Sequence, residues 1–193
     1  MPKISEERRV ANRAAIVAAA ARCFARNGFH QTSMPDIAAE AGLSAGAPYR
    51  YFAGKEDLIA EVAALAFGVL FQPVNDLIDQ KANPTLADLV AAATGPTAGG
   101  AFEEDLLRCA VQSWAELLRN PGLRERAVHG VAGNLDRIGA ALGRTLPDTG
   151  VAPATGARIV VALLHGFLLQ RVAFGLADPV AAQDVLAAFG QHS

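Results

Sequence analysis

The sequence predicts an all-α protein of about nine helices, and three observations support this fold class. Apolar residues recur at helical spacing along most of the chain. Alanine, a strong helix former, raises the hydrophobic fraction to 52% of the 193 residues. β-branched and aromatic residues never gather into the alternating runs that mark strands. A chain of this length can bury a sizeable core, and we expect one domain over residues 1–55 and a second over residues 56–193.

The first two helices have clear boundary signals. The first is predicted from about residue 6 to residue 27, because Gly28 supplies a C-terminal stop. Ser33 suits the N-cap of the second helix, since its hydroxyl can accept a hydrogen bond from the exposed amides of the next turn. Asp36 completes a variant of the capping box. Gly42 then ends this helix in a sharp turn, so the spacing predicts a helix-turn-helix arrangement.

A third helix is predicted over Ala45–Phe52, with Ser44 as its cap. It begins with small residues, which would let its N-terminus approach the major groove of DNA closely. It ends with the chain's only two tyrosines, Tyr49 and Tyr51, where such a helix meets the sugar-phosphate edge. Pro48 cannot donate to the carbonyl four residues back, so we expect the helix start to be tightened or displaced by a residue. The alternative is that Pro48 merely rigidifies the turn.

The charge of the chain is distributed unevenly. Residues 1–55 carry eight basic and four acidic groups, a net charge of +4, so the remainder carries −6. This asymmetry indicates a basic N-terminal module that meets a polyanion, attached to an acidic body that does not. The alternative is an ordinary scatter of surface charge. Tyrosines beside Arg50 and Lys55 favour the first interpretation and a phosphate backbone as the polyanion.

The rest of the chain is predicted to be helical with two loops. Glu56 and Asp57 suit the start of a fourth helix, because their charges complement its N-terminal dipole. Pro73 should kink or end that helix. Loops are expected over residues 94–100 and 146–153, and the remaining helices over about residues 84–93, 102–120, 121–142, 154–174 and 179–189.

The predicted helix over residues 154–174 is apolar nearly all round, so it must be covered on two sides. One cover is the core of its own domain. We expect the other to be the same helix of a second copy, packed with the last helix in a four-helix interface. The expected interface residues are Val161, Leu164, Leu168, Val172, Val185 and Phe189.

A small-molecule cavity is predicted around Trp114, the only tryptophan of the chain. An aromatic side chain with a few polar groups is typical of such a cavity, although an amphipathic helix buries the same residues for packing alone. The predominantly apolar surroundings favour a hydrophobic or aromatic ligand. The expected lining residues are Arg108, Gln112, Trp114, His165, Gln170 and Phe174.

The motif residues between Arg13 and Leu58 keep a nearly unbroken spacing. They are Ile16, Val17, Ala19, Ala20, Phe24, Gly28, Thr32, Ser33, Ile37, Ala38, Ala41, Gly42, Ser44, Gly46, Tyr49, Tyr51, Phe52, Lys55, Glu56 and Leu58. This pattern, which covers about a quarter of the chain, resembles the TetR family of bacterial transcriptional regulators. The later helices are similar to those of that family only in number, order and length.

The resemblance implies a homodimer that binds a double-stranded DNA operator of twofold symmetry. It also implies a C-terminal ligand cavity whose occupation by a small-molecule effector moves the two DNA-reading heads apart. By the same resemblance, Tyr49, Tyr51 and Lys55 contact phosphates, and the chain departs from many relatives at Pro48 and Gly54. The candidates for lining the groove are Ser33, Ser44, Ala45, Gly46, Ala47 and Arg50.

We therefore expect a repressor released by its ligand, although a ligand-independent regulator or an activator would use the same residues. A pure interaction protein would need neither the basic head nor the paired tyrosines. Enzyme activity is not expected, because the four histidines show no metal-ligand spacing and the sequence contains no GxSxG elbow. We accordingly expect no catalytic residue, no metal and no cofactor.

Cellular location is predicted from the cysteines and from hydropathy. Cys23 and Cys109 are too far apart for a disulfide framework, which is typical of reduced cytosolic thiols. The longest apolar segment, over residues 159–169, is shorter than the roughly 17 residues needed to span a bilayer. We therefore expect a cytoplasmic protein with no membrane partner.

Overall fold

Seven α-helices and one short 3₁₀ helix form the regular structure of the described residues. The computed structural model describes residues 5–95, 100–145 and 151–176, together with Asp184 and Ala187. The 3₁₀ helix is Pro48–Arg50. The α-helices are α1 Glu6–Gln31, α2 Met34–Glu40, α3 Lys55–Gln80, α4 Leu86–Thr94, α5 Ala101–Arg119, α6 Pro121–Leu142 and α7 Pro153–Phe174.

The all-α class is confirmed, but the predicted set of about nine helices needs a correction. The third predicted helix, over residues 45–52, is replaced by a turn and the 3₁₀ helix. The predicted last helix, over residues 179–189, lies outside the described residues apart from Asp184 and Ala187, which are helical. Pro73 does not end α3, which continues through it to Gln80.

The chain forms two compact units. The head unit comprises Met1–Phe67 and Gly99–Glu116, and the body unit comprises Gly68–Ala98 and Leu117–Ser193. These units differ from the predicted domains, because α3 and α5 each contribute residues to both units. The functional division at residue 55 stays a prediction.

The core of the head unit forms where α1, α2 and α3 turn their apolar stripes inward. Phe24 is fully buried and meets the ring of Phe29 edge to face, with 4.9 Å between the ring centroids. Phe52 is also buried. The fully buried residues of this core include Ile16, Phe24, Ile37, Leu58 and Val62.

Gly28 interrupts the helical conformation of α1 at the predicted position. Its φ of 82° and ψ of 162° lie in a region that is essentially restricted to glycine. The chain then turns toward α2 through Thr32, which is buried. The Thr32 hydroxyl lies 2.9 Å from the carbonyl oxygen of Gly28 and 3.3 Å from that of Cys23, within hydrogen-bond distance of both. This residue thereby fixes the direction in which α2 leaves α1.

In the body unit, α7 packs against α4 and α6. Its buried face includes Val161, Leu164 and Leu168, whose exposed fractions are 8%, 5% and 5%. These three predicted interface residues are therefore buried within the chain itself, and their assignment to a partner contact stays a prediction. Val172 is half-buried, and Val185 and Phe189 lie outside the described residues.

Two of the helices, α3 and α7, are long and apolar enough to cross a membrane on length and composition alone. Core helices of soluble proteins pass the same test. In α3, Val62, Leu70 and Val74 are buried within the chain, so the core accounts for part of the apolar content of this helix.

The start of α4 is fixed by a capping box. The Thr85 hydroxyl accepts a hydrogen bond from the backbone N–H of Asp88 at 3.2 Å, and the Asp88 carboxylate accepts one from the backbone N–H of Thr85 at 2.7 Å. The ammonium of Lys81 lies 2.6 Å from the same carboxylate. Lys81 and the Thr85 hydrogen bonds lower the pKa of Asp88 to about 2.

We predict that Gly28→Ala lowers the free energy of unfolding by roughly 1–3 kcal/mol, because alanine is strained at a φ of 82°. Urea unfolding of the two proteins would measure the difference. Gly133→Ala is the control, since Gly133 lies inside α6 with open space around its Cα. That substitution should stabilise the protein by up to about 1 kcal/mol. Equal effects at both positions would contradict the argument.

A second prediction concerns pH. The folded-state pKa of Asp88, about 2, lies below the ordinary value of 3.8, so its stabilisation is present above about pH 4 and is lost as the pH falls toward 2. Asp88→Asn should therefore cost about 1 kcal/mol at pH 7, a value discounted for solvent exposure. The difference from wild type in urea titrations should shrink between pH 5 and pH 2.5. A difference that stays constant over that range would exclude the carboxylate as its origin.

Candidate nucleic-acid interface

The N-terminus of α2 carries the predicted capping box. The Ser33 hydroxyl accepts a hydrogen bond from the backbone N–H of Asp36 at 3.3 Å, and the Asp36 carboxylate accepts one from the backbone N–H of Ser33 at 2.9 Å. The two hydrogen bonds from Ser33, through its hydroxyl and its N–H, lower the pKa of Asp36. Ser33 is exposed at this helix end, with its orientation fixed. An exposed N-terminus of this kind suits contact with a phosphate.

The turn after α2 depends on Gly42. Its φ of 67° is left-handed, and its N–H donates to the carbonyl oxygen of Ala39 at 3.0 Å. The N–H of Leu43 donates to the carbonyl oxygen of Ala38 at 2.9 Å. These bonds satisfy the last carbonyls of α2 and turn the chain sharply into the next segment.

The segment predicted as a third α-helix forms a tighter structure. The carbonyl oxygen of Ser44 accepts a hydrogen bond from the N–H of Ala47 at 2.8 Å, three residues on, because Pro48 has no N–H to offer it. The N–H of Arg50 donates to the carbonyl oxygen of Ala47 at 3.1 Å, again with a three-residue spacing. This is the 3₁₀ pattern, and it replaces the regular α-helix. The expectation that Pro48 tightens the segment is met, and the expected helical cap at Ser44 is corrected.

The surface of this segment combines small side chains with polar ones. Ser44, Ala45 and Gly46 are exposed, and Ala47 is half-buried. Arg50 is exposed, and the exposed fraction of Tyr49 is 58%. Six of the nine predicted contact residues are therefore open to a partner: Ser33, Ser44, Ala45, Gly46, Tyr49 and Arg50.

Tyr51 is less exposed because it is held by α1. Its hydroxyl accepts a hydrogen bond from Nδ2 of Asn12 at 3.3 Å. Behind it, the guanidinium of Arg13 lies 5.0 Å from the ring centroid of Phe52 and 2.9 Å from a carboxylate oxygen of Glu61. Asn12 and Arg13 thus join residues 44–52, the recognition segment, to α1. No local sequence pattern indicates this role of Asn12.

Lys55 does not reach outward in this structure. Its ammonium donates to the carbonyl oxygens of His30 at 3.3 Å and Thr32 at 3.2 Å. The predicted phosphate contact is therefore engaged within the head unit, where it satisfies backbone acceptors at the end of α1. A contact with phosphate would require Lys55 to share or exchange these partners.

Part of the basic charge of the head is neutralised internally. Glu40 lies 2.6 Å from Nε of Arg22 and 3.2 Å from Nη2 of Arg26, and the two arginines lower the pKa of Glu40. Arg9 pairs with Glu6 at 3.1 Å. Arg50 forms no ion pair with any of the residues that the structure describes. The positive charge beside Tyr49 is therefore available to an external anion.

The six residues predicted to line a ligand pocket are divided between the units. Arg108, Gln112 and Trp114 belong to the head unit, where Nε2 of Gln112 donates to the carbonyl oxygen of Phe24 at 3.0 Å. Arg108 is exposed and Trp114 is half-buried.

The other three pocket candidates belong to the body unit. His165 meets the ring of Phe71 edge to face at 5.9 Å, and burial lowers its pKa. Gln170 and Phe174 are exposed. A pocket role for the six residues stays a prediction.

Metal and thiol chemistry find no support in the part of the chain that the structure describes. No group of three His, Cys, Asp or Glu side chains there could hold a metal ion. Cys23 and Cys109 are buried free thiols, and burial raises the pKa of Cys109 to about 12. Such a thiol is inert at neutral pH.

Comparison with known proteins gives two family matches. Residues 16–62 match the family described as bacterial regulatory proteins, tetR family. Residues 82–191, more than half of the chain, match the tetracyclin repressor-like C-terminal domain. The two matched segments include most of the described residues.

Similar individual proteins agree with these matches. The HTH-type transcriptional repressor KstR2 of Mycobacterium tuberculosis is 38% identical over 65 residues, which are 34% of this chain and 32% of that protein. The match therefore spans about a third of that relative. A transcriptional regulator from Pseudomonas aeruginosa superposes with a TM-score of 0.71 at 23% identity, covering 94% of this chain and 88% of that one. Salmonella enterica GusR gives 0.66 at 24% identity, covering 97% and 96%. At these identities the two structures establish the fold.

We predict that Lys55→Met lowers the free energy of unfolding by about 1–2 kcal/mol in the absence of any nucleic acid. The reason is that Lys55 provides charge-assisted hydrogen bonds to two carbonyl groups at the end of α1. Lys81→Met is the matched control, because Lys81 forms an exposed ion pair with Asp88 that should contribute less than about 1 kcal/mol. If urea unfolding gave Lys55→Met no larger effect than the control, Lys55 would have no structural role.

Proposed function

This chain belongs to the TetR family of bacterial regulatory proteins, and from that membership we propose that it is a homodimeric transcriptional repressor. It binds a palindromic DNA operator through its head unit and is released by a small hydrophobic or aromatic effector. The observation that carries the proposal is the exposed surface formed by Ser44, Ala45, Gly46, Tyr49 and Arg50. This surface offers a close approach for the groove and donors for the phosphates. Regulation of this kind involves no catalytic step.

Each head grips the DNA backbone through polar groups around the recognition segment. Tyr49 donates its hydroxyl to a phosphate, and Tyr51 does so from the position fixed by Asn12. Ser33 presents the N-terminus of α2 to a further phosphate. Lys55 adds a charged contact from the end of α1. These contacts set the register of the head and carry no base specificity.

Base recognition depends on few side chains. Arg50 is the one long donor of the recognition segment and suits the acceptor edge of guanine. Ala45 and Ala47 offer methyl groups to thymine methyls. Because Pro48 imposes 3₁₀ geometry, a short 3₁₀ turn presents these side chains to the groove in place of a regular α-helix. We therefore assign specificity to a short stretch of bases in each half-site.

Dimerisation uses the side of α7 that the chain leaves uncovered. Ile159 and Phe174 are large apolar side chains with exposed fractions of 40% and 67%. Val172 is half-buried, and Val185 and Phe189 of the following segment complete the proposed interface. Two copies joined in this way present two heads to successive major grooves, roughly 34 Å apart.

The effector binds in the body unit. Supporting this, the fully buried described residues of that unit are apolar almost throughout, among them Leu89, Ile138 and Leu142. His165 adds a polar group that is uncharged at neutral pH, because burial lowers its pKa. Such surroundings favour an apolar or aromatic molecule over a charged one. Comparing reporter expression with and without the gene distinguishes repression from activation.

Selection of bound sites from random DNA fragments tests the DNA-binding proposal. We expect a palindromic site whose affinity falls steeply as salt rises, since each head neutralises several phosphates. Tyr49→Phe should weaken binding about 3- to 10-fold per head, the effect of one lost hydrogen bond. Lys55→Ala should reduce the slope of log affinity against log salt by about one per head.

Lys81→Ala is the control for this experiment, because Lys81 lies in the body unit and pairs with Asp88. It should leave both affinity and salt slope unchanged. Weak, sequence-indifferent binding at physiological salt would refute the proposed repressor. Ligand release is tested separately, by adding hydrophobic compounds to the preformed complex and measuring dissociation.

A further inference from the structure

A concavity of about 240 Å³ lies between α1 and α5 in the head unit. It is smaller than the roughly 300–1,000 Å³ typical of pockets for drug-sized ligands. Four of the five lining residues carry a charged group, and Ala25 is the exception. The lining residues are Arg22, Ala25, Arg26, Asp105 and Arg108.

The three arginines of the lining have N–H donors for which the described residues provide no acceptor. The carboxylate of Glu40 accepts from Nε of Arg22 and Nη2 of Arg26, and Nη2 of Arg26 also lies 3.8 Å from Sγ of Cys23. A guanidinium has five N–H donors, so most donors of both side chains have no acceptor among the described residues. Arg108 is exposed and forms no ion pair within the described ranges. The concavity is therefore rich in hydrogen-bond donors that point to no fixed acceptor.

The local charge favours an anion. Three guanidinium groups face two carboxylates, those of Glu40 and Asp105, which leaves a net charge of +1. Glu40 stays ionised at neutral pH because the two arginines lower its pKa. The planar fork of arginine matches tetrahedral oxyanions through paired hydrogen bonds. A cation or a neutral apolar molecule would gain neither contact.

We propose that this concavity binds a phosphate or diphosphate group, held by Arg108 together with the uncommitted N–H donors of Arg22 and Arg26. The site is formed by residues of α1 and α5, none of which belongs to the recognition segment, and it does not depend on the proposed function. Glu40 is the last residue of α2. A bound anion would therefore contact the same guanidinium groups of Arg22 and Arg26 that pair with Glu40 and link α1 to α2.

Calorimetric titration of inorganic pyrophosphate into the full chain, with ionic strength held constant by sodium chloride, tests the site. We expect saturable binding of one anion per protomer. Arg108→Gln should weaken it at least 10-fold, and Arg108→Lys should weaken it less, since lysine keeps the charge and loses the fork. Arg124→Gln is the matched control, because Arg124 is an exposed arginine of the body unit, and it should bind as wild type does. Circular dichroism melting checks that all variants are folded.

Two further arms identify the source of the phosphate group. Binding of ADP with the same loss in Arg108→Gln assigns the site to a phosphate carried on a nucleotide, whereas binding of pyrophosphate alone assigns it to the free anion. Non-saturable heat, or equal binding by the Arg108→Gln and wild-type proteins, overturns the proposal. It is also overturned if operator DNA displaces pyrophosphate and Arg108→Gln weakens operator binding equally, because the arginines would then be DNA contacts.

Discussion

The carbonyl groups near the end of α1 are the constraint on which the head unit depends. A helix leaves its last carbonyls without intrahelical donors, and here Gly28 breaks the helical conformation before the helix ends. Side chains from elsewhere in the chain donate to carbonyl oxygens in this region. The Thr32 hydroxyl lies within hydrogen-bond distance of two of these carbonyl oxygens, and Lys55 donates to two more. Gln112 donates to a fifth, that of Phe24. One backbone irregularity thus holds α2, α3 and α5 to α1.

A missing hydrogen-bond donor also explains the backbone conformation of the recognition segment. Pro48 removes one N–H, and the carbonyl of Ser44 is satisfied at closer spacing by Ala47. The resulting 3₁₀ turn is short, but the buried rings of Pro48 and Phe52 anchor it. Small residues before Pro48 and polar residues after it then face outward. The segment keeps small and polar side chains at its surface while its backbone departs from an α-helix.

Local features were predictable from the sequence because their signals lie within a few residues. The capping box of Ser33 and Asp36, the break at Gly28 and the tightening at Pro48 all belong to this class. Contacts between distant residues had no such signal, as Asn12 with Tyr51 shows. The orientation of α7 is also difficult to predict, since Val161, Leu164 and Leu168 were expected at a partner contact and are buried within the chain itself. A helix that is apolar on all sides has no polar face to indicate its orientation about its axis. Its sequence therefore does not distinguish the side that faces its own core from the side left for a partner.

Basic side chains of the head unit differ in whether the fold already uses their hydrogen-bond donors. This difference determines how the proposed DNA binding would be linked to folding. Lys55 is committed to carbonyl groups of α1, so a phosphate competes for a donor that the fold already employs. The guanidinium of Arg50 forms no ion pair with the described residues, so a phosphate that contacts it would break no ion pair of the head unit. Gln112 of α5 donates to α1, and α5 continues from the head unit into the body unit as far as Arg119. A ligand that displaced α5 would remove a donor from the helix end that also holds Lys55. Under the proposed function, an effector could then act on the proposed phosphate contacts through hydrogen bonds to the backbone, with no change in the recognition residues themselves.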